Sequence, residues 1–245
     1  MQMLIWRHFI KVADKVVANS MYVWKTVAEA SDVLRVRAPQ IIHNLAPSGM
    51  QETTHPHYDP QFRHVIYVGQ MSHEKGVFEF IRSAALLATS HPDLRFHLVG
   101  GSIYTTETEL ALVALVNERG IADRVTFHGW MNNAREFLSQ AAVHVAPSVW
   151  EEPFANVVLE AKREGTPSVV FPSGGLPEMI RHQVDGYICE DKSDQSLAHG
   201  IAWVLDREPV EMNELRALVA ADYQERFGEE RFCKAWADVY QITGV

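Results

Sequence analysis

The chain has 245 residues, of which 22 are Lys or Arg and 31 are Asp or Glu, so its formal net charge is −9. This acidic balance argues against a nucleic-acid binder, because counterion release at phosphates needs a basic face. Apolar residues make up 47% of the chain, yet no run approaches the roughly 18 that a membrane-spanning helix needs. The length suits one large domain, or one domain plus a fragment of another.

The first 44 residues differ in pattern from the rest of the chain. Apolar side chains recur at helical spacing from Leu4 to Val16, and residues 15–19 then form a short run typical of a buried strand. We predict a helix over about residues 20–35 and a second strand over residues 40–43. Residues 45–62 hold three prolines and a glycine, the composition of a linker, so we predict a domain boundary there.

From residue 63 to residue 245, apolar runs alternate with helical periodicity. Apolar runs without in–out alternation, separated by helices, indicate a parallel sheet covered on both faces. Right-handed crossovers then give a doubly wound, Rossmann-like α/β domain whose ligand crevice lies at the carboxyl ends of the strands. The predicted strands are 64–68, 94–99, 125–128, 143–146 and 168–171; the predicted helices are about 77–88, 107–119, 134–141, 153–164 and the whole tail from 194.

The first candidate site loop follows the strand at residues 64–68. Gly69 would let a ligand approach the backbone, and Lys75-Gly76 opens the next helix, where a lysine is well placed to hold a phosphate. The loop has neither GxGxxG nor GK[ST], which disfavours a dinucleotide fingerprint and a Walker loop. Taken alone, Lys75 is better explained as a solvated lysine at a helix start.

The second candidate loop, PSVWEEPFANVVLEA, runs from a buried strand into a helix. Glu152 and Glu160 are eight residues apart, roughly 12 Å along a helix axis, so they could hold two parts of a ligand with a diphosphate between them. Free backbone N–H groups of the first helical turn, at about residues 154–157, would face that diphosphate. Alternatively, Glu152 complements the helix dipole and Glu160 faces water, although the apolar residues around Glu160 argue against that.

The third candidate loop contains Gly174 and Gly175 after the strand at residues 168–171. Adjacent glycines permit close approach of a ligand to the backbone, although a plain strand-to-helix turn explains them equally well.

Several segments together resemble the C-terminal half of the retaining glycosyltransferase family 4, which has the GT-B fold. They are VGQMSHEKG, VTFHGW, PSVWEEPFANVVLEA, GTPSVVFPSGGLPEMI and DGY, within about residues 62–240. The pair Glu152-x7-Glu160 is the most specific of them. ADKVVANS resembles the last strand of that family's N-terminal domain, and IIHN resembles the run into the interdomain linker. The resemblance implies that residues 1–44 are the end of an N-terminal domain, and that the chain is incomplete as an enzyme alone.

The resemblance also implies how a nucleotide-activated sugar would bind. Lys75 would neutralise the diphosphate leaving group, Glu152 would contact the donor sugar near the reacting carbon, and Glu160 would hold the ribose hydroxyls. Electrostatic stabilisation of the departing diphosphate would supply most of the rate. Gln70 stands where the family usually has an arginine, and Ala155 replaces a common glycine. The remaining implied site residues are Gly69, Gln70, Gly76 and Ser148, the backbone around Phe154, Ala155, Asn156 and Val157, and Gly129 and Trp130 beside the base.

The implied donor is a UDP- or GDP-sugar, and the acceptor is an unidentified sugar, lipid or protein. No Asp-x-Asp pair occurs, so we expect no metal, and His55 and His57 lack a third ligand at metal spacing. The apolar face within residues 1–20 could bind a partner chain, self-associate, or lie on the inner face of a membrane; it is equally well explained if it folds back onto the long C-terminal helices. Cys189 and Cys233 form no CxxC pair, which favours the cytoplasm.

Two alternatives to a glycosyltransferase remain at the level of sequence. The chain could be a non-catalytic nucleotide-sugar-binding or partner-interaction domain derived from such an enzyme. It could also be another Rossmann-type enzyme, such as a sugar-nucleotide epimerase or a nicotinamide dehydrogenase. The absence of GxGxxG argues against the nicotinamide enzyme.

Overall fold

The computed structural model describes residues 10, 13–47, 59–101, 107–132 and 134–241. Its centre is a six-stranded sheet in which all neighbouring strands are parallel. The strands are β1 (Arg63–Val68), β2 (Leu94–Val99), β3 (Val125–Gly129), β4 (Val143–Ala146), β5 (Ser168–Val170) and β6 (Gly186–Ile188). Their order in the sheet is β3-β2-β1-β4-β5-β6, so the direction of winding reverses between β1 and β4. A doubly wound sheet binds ligands outside the carboxyl ends of the strands at such a switch point.

Helices cover both faces of the sheet, which confirms the predicted α/β class. In the described part of the chain they are α1 (Met21–Glu29), α2 (Asp32–Arg35), α3 (Val77–Ser90), α4 (Glu107–Glu118), α5 (Arg135–Gln140), α6 (Asn156–Arg163), α7 (Asp194–Leu205), α8 (Pro209–Phe227) and α9 (Glu229–Tyr240). Short 3₁₀ turns, His73–Lys75 and Leu176–Met179, precede α3 and β6. None of the helices in these ranges is long and apolar enough to cross a bilayer.

The central strands are apolar on both faces because both faces are covered. Tyr67 and Phe96 pack with Phe80 of α3 on one face, whereas Ile66 packs with Phe137 of α5 on the other. Ile66 and both phenylalanines of the first group are fully buried. Burying such a side chain contributes about 1.5–3 kcal/mol relative to leaving it exposed. These contacts therefore stabilise the central strands, whose carboxyl ends carry the candidate loops.

Several element boundaries differ from the predictions. The helix predicted from residue 153 begins at Asn156, and the predicted helical tail is interrupted before Pro209 and at Gly228. Proline at the first position of α8 and the extended backbone of Gly228 account for the two interruptions. The strand β6 was not predicted, because its three residues are too few to show a periodicity.

The N-terminal part of the described chain is less regular than predicted. Residues 15–19 and 40–43 form no strands and share only one parallel bridge, between Ala18 and Ile41. The helix predicted over residues 20–35 is divided in two, because Ser31 has extended backbone angles. Segment 13–47 nevertheless has its own apolar cluster, which includes the buried Trp24 and Leu34. Leu4, Ile5, Phe9 and Val12, and also His55 and His57, lie outside the described residues.

Candidate functional site

A cavity of about 370 Å³ lies at the carboxyl ends of β1 and β4, at the topological switch point. This volume lies within the usual range of ligand pockets. Most of the predicted site residues line it: Gly69, Gln70, Lys75, Ser148, Glu152, Phe154, Ala155, Asn156, Val157 and Glu160, together with Tyr67, Val68 and Ala146. A separate cavity of about 410 Å³, between His43 and α9, contains none of the predicted site residues.

Gly76 lets the loop after β1 pack against the loop after β4. Its backbone is left-handed, with φ of +71°, and a Cβ atom there would lie 1.7 Å from the carbonyl oxygen of Pro147. The carbonyl of Glu74 also accepts hydrogen bonds from the amides of Val149 (3.0 Å) and Trp150 (3.1 Å). Gly76 does not line the cavity, so its observed role is to hold the two loops together.

The junction of these two loops brings Lys75 and Glu152 into a direct ion pair. The Lys75 side chain is 38% exposed and that of Glu152 only 13%, so the lysine remains open to the cavity while the carboxylate is largely covered. The Ser148 hydroxyl lies 3.4 Å from the same carboxylate. Among the residues that line the cavity, Lys75 is the single lysine or arginine, whereas Glu152 and Glu160 are both acidic.

The third predicted loop supports the second one and does not line the cavity. The Gly175 amide donates to the Glu152 carbonyl at 2.7 Å, and a Cβ atom on Gly174 would lie 2.2 Å from that oxygen. The Ser173 hydroxyl donates to the Trp150 carbonyl at 2.6 Å. Of the two explanations offered for Gly174 and Gly175, the structure supports the structural one, because they admit the backbone of the Glu152 loop.

The N-terminus of α6 faces the cavity. The helix begins at Asn156, two residues after the first of the residues, 154–157, whose amides were predicted to face a diphosphate. Ala155 is the N-cap residue and carries no side-chain acceptor for the N–H groups of the first turn. Asn156 and Val157 begin the helix and line the cavity. Phe154 precedes the helix, so its amide does not belong to the first turn. Glu152 also lies outside the helix, and the estimate of 12 Å along a helix axis does not apply.

Two further side chains shape the cavity wall. Partial burial of Glu160 raises the pKa of its carboxyl group, an effect that Arg163 opposes. Tyr67 donates a hydrogen bond to the Gln70 carbonyl at 2.5 Å and fixes the loop after β1. Burial, and secondarily the charge of Glu152, raises the pKa of Tyr67, so its phenol stays protonated. Our sequence analysis missed Tyr67, although a hydroxyl at the end of an apolar strand could have indicated it.

Gly129 and Trp130 are not among the residues that line the cavity. Gly129 ends β3, and its carbonyl accepts a hydrogen bond of 2.8 Å from the Gly100 amide. Trp130 is 72% exposed. Their predicted contact with a base therefore stays a prediction.

Comparison with known proteins places the chain in a family. The family model for glycosyl transferases group 1 matches residues 55–223. The chain is 30% identical, over 185 residues, to an uncharacterized glycosyltransferase of Methanocaldococcus jannaschii, covering 73% of this chain and 45% of that protein. It is 35% identical, over 172 residues, to the D-inositol 3-phosphate glycosyltransferase of a Mycobacterium species, covering 67% of this chain and 37% of that protein.

The fold is similar to that of Anabaena HepE, whose structure was determined with UDP and glucose. The TM-score is 0.78 at 21% identity, and the superposition covers 98% of this chain and 67% of HepE. The chain spans less than half the length of the two curated relatives that it matches. The match to the family model extends over more than half of the chain and ends within α8. The chain therefore belongs to the group 1 glycosyl transferases.

Proposed function

We propose that this chain is the donor-binding part of a retaining family 4 glycosyltransferase. Its donor is a UDP- or GDP-sugar, its chemistry needs no metal, and its acceptor is a sugar, a lipid or a protein. The observation that carries the proposal is the meeting of Lys75, Glu152, Glu160 and the N-terminus of α6 around one cavity at the switch point. A cation beside an uncapped helix N-terminus suits a diphosphate.

The proposed chemistry breaks the bond between the anomeric carbon and the diphosphate oxygen, while a hydroxyl oxygen of the acceptor forms the new bond to that carbon and its proton passes to the departing diphosphate. The electron pair leaves with the diphosphate, which the Lys75 ammonium and the first-turn amides of α6 stabilise as its charge grows. Glu152 contacts the sugar near the reacting carbon, and Glu160 holds the ribose hydroxyls. Because Lys75 pairs with Glu152 in the free site, binding a diphosphate exchanges one anionic partner of Lys75 for another.

The domain division belongs to the same proposal. Residues 1–44 are the end of an N-terminal GT-B domain, residues 45–62 are the linker, and residues 63–245 are the nucleotide-sugar-binding domain. Acceptor contacts then come mainly from the N-terminal domain. We also propose that segment 1–20 binds a partner chain, a second copy of this chain or the inner face of a membrane. The proposed location of the enzyme is the cytoplasm.

A second candidate function is nucleotide-sugar binding without turnover. One observation favours it: the described lining of the cavity offers a single cation, Lys75, against two carboxylates. Gln70 is uncharged, so it can donate hydrogen bonds to a diphosphate but adds no second positive charge beside Lys75.

A thermal-shift titration tests donor binding. UDP or GDP at millimolar concentration is expected to raise the melting temperature, and Lys75→Ala or Glu160→Ala is expected to remove the shift. Lys192→Ala is the matched control, because Lys192 pairs with Glu151 at 2.8 Å outside the cavity lining. The absence of any shift with both nucleotides contradicts the donor site. Incubation with UDP-glucose then separates the candidates, because measurable sugar release favours catalysis over binding alone.

A further inference from the structure

Segment 13–47 contacts the polypeptide between Glu152 and α6 at three points. The Ser20 hydroxyl donates to the Pro153 carbonyl at 2.8 Å. The His43 ring stacks on the Phe154 ring, with centroids 5.1 Å apart and planes 11° from parallel. The Asn44 amide donates to the Asn156 side-chain oxygen at 2.8 Å. Pro153, Phe154 and Asn156 thus each contact a residue that precedes position 45.

The first of these contacts is itself held rigidly. The carboxylate of Glu178 accepts the backbone N–H groups of Met21 and Tyr22, each at 2.7 Å, at the N-terminus of α1. A carboxylate at that end of a helix also complements its dipole. Ser20 is fully buried, and its oxygen accepts the Val23 amide at 3.1 Å while its proton goes to Pro153. The Ser20 hydroxyl therefore has one orientation.

The second contact has a fixed ring as well. His43 Nδ1 lies 2.9 Å from the Asn19 carbonyl, and a carbonyl can only accept, so this nitrogen carries a proton. The ring also contacts Phe227 of α8, at a centroid distance of 5.2 Å. Phe154 is therefore held by a ring that both segment 13–47 and α8 constrain.

We propose that Ser20, His43 and Asn44 are positioning residues for the donor site. They hold residues 153–156 so that Glu152 and the first turn of α6 face the cavity before a ligand arrives. This inference rests on the proposed function, since it assigns these residues to donor binding. It implies that a shift of segment 13–47 changes donor affinity although the segment does not line the cavity. Pre-formed sites bind more tightly because less ordering remains to be done on binding.

The test compares variants of the three residues in the full chain. Ser20→Ala, Asn44→Ala and His43→Ala each remove one of the three contacts with residues 153–156. His43→Phe keeps a stacked ring on Phe154 without the hydrogen bond to Asn19. Val27→Ala is the matched control, because Val27 packs in the apolar cluster of the same segment. For each protein we would measure the UDP dissociation constant, the melting temperature, and amide hydrogen exchange of residues 152–158 without ligand.

Each single contact is expected to be worth about fivefold in UDP affinity, the equivalent of one hydrogen bond. Exchange at residues 152–158 should accelerate in the three alanine variants, and His43→Phe should recover most of the affinity lost in His43→Ala. Val27→Ala should lower the melting temperature and leave both other readouts unchanged. Wild-type UDP affinity and wild-type exchange in the alanine variants would overturn the inference. If wild type itself bound neither UDP nor GDP, the donor proposal would fail, and the positioning of the loop would still be decided by the exchange data.

Discussion

Lys75 and Glu152 are 77 residues apart in the chain, yet their side chains form a direct ion pair at the mouth of the candidate site. The pair links the loop after β1 to the loop after β4, which are adjacent strands at the switch point. In the proposed function, Lys75 binds the leaving diphosphate and Glu152 contacts the donor sugar. In the free site the Lys75 ammonium is therefore paired with the Glu152 carboxylate. A substitution of either residue should change how the other interacts with a ligand.

Glu152→Gln is expected to separate nucleotide binding from sugar chemistry. Glutamine does not neutralise Lys75, so the ammonium becomes fully available to a diphosphate, and UDP should bind at least as tightly as to wild type. Release of sugar from UDP-glucose should fall in the same variant. Calorimetric titration with UDP provides the measurement, with Lys75→Ala as the opposite control. Equal loss of UDP affinity in Glu152→Gln and Lys75→Ala would contradict the assigned roles.

Glu160→Gln is expected to stabilise the free protein while it weakens nucleotide binding. Burial raises the pKa of Glu160 above that of the unfolded chain, so the folded state favours the protonated form. The contribution of this group to stability is therefore greatest below the unfolded pKa and is lost as the pH rises through the folded pKa. At pH 7 the neutral variant should melt at a higher temperature than wild type, with a weaker UDP complex. A lower melting temperature at pH 7 would show that the carboxylate stabilises the free fold.

Gln70→Arg is expected to increase affinity for a diphosphate. Gln70 lines the cavity with Lys75, and an arginine there would add a second cation able to bind phosphate oxygens in a bidentate manner. We expect about a tenfold lower dissociation constant for UDP, corresponding to one charge-assisted hydrogen bond. The affinity for uridine should not change, because it has no phosphate. A tighter uridine complex would mean that the gain came from another source.

Three histidines form a hydrogen-bonded row across β1, β2 and β3. The Asp59 carbonyl, 2.9 Å from His64 Nε2, places a proton on that nitrogen, so His64 Nδ1 accepts from His97 Nε2 at 2.9 Å. By the same argument His97 Nδ1 accepts from His128 Nε2 at 3.0 Å. The row is consistent when all three rings are neutral.

This row predicts acid sensitivity. Burial lowers the pKa of all three rings, that of His97 to about 3, and nearby Arg95 lowers those of His64 and His97 further. Since the unfolded pKa is about 6.5, stability should be complete above that pH and fall as the pH drops below it. Urea denaturation at pH 8, 6 and 5 measures the slope. His97→Gln should flatten it, and His199→Gln, at an exposed position, should not. An equal slope in wild type and His97→Gln would exclude the row as the cause.

A buried cluster of charged side chains joins α6 to α8. Lys162 of α6 pairs with Asp222 of α8 at 2.8 Å and with Asp185 at 3.1 Å, and all three side chains are fully buried. Asp222→Ala leaves Lys162 with Asp185 alone and also removes a partner of Arg181 (3.1 Å) and of Arg226 (3.2 Å), so it should lower the free energy of unfolding by about 3–5 kcal/mol. Asp32→Ala, which breaks an exposed pair with Arg35, should leave the urea midpoint unchanged. Equal midpoints for the two variants would refute the structural role of the cluster.

The candidate site was predictable where its residues follow local rules. The Glu152-x7-Glu160 spacing and the Lys75-Gly76 pair stand at strand ends, and the carboxyl ends of parallel strands share one edge. Tyr67 was missed because it lies within an apolar strand and its hydroxyl partner is a loop carbonyl. For Gly174 and Gly175 two explanations stayed open, since a sequence does not show whether a glycine admits a ligand or another loop.

The amino-acid sequence by itself determined the α/β class of this protein and the places where its strands end. Strands buried on both faces must be apolar throughout, and helices must be periodic, so both patterns are local. Only the tertiary structure decided the strand order, the short strand β6, and the support that Ser20 gives to Pro153, 133 residues away. Those features depend on contacts between groups that are distant in the chain. The sequence of 245 residues therefore predicts a sheet with ligand-binding loops, whereas the tertiary structure determines which segments hold those loops in place.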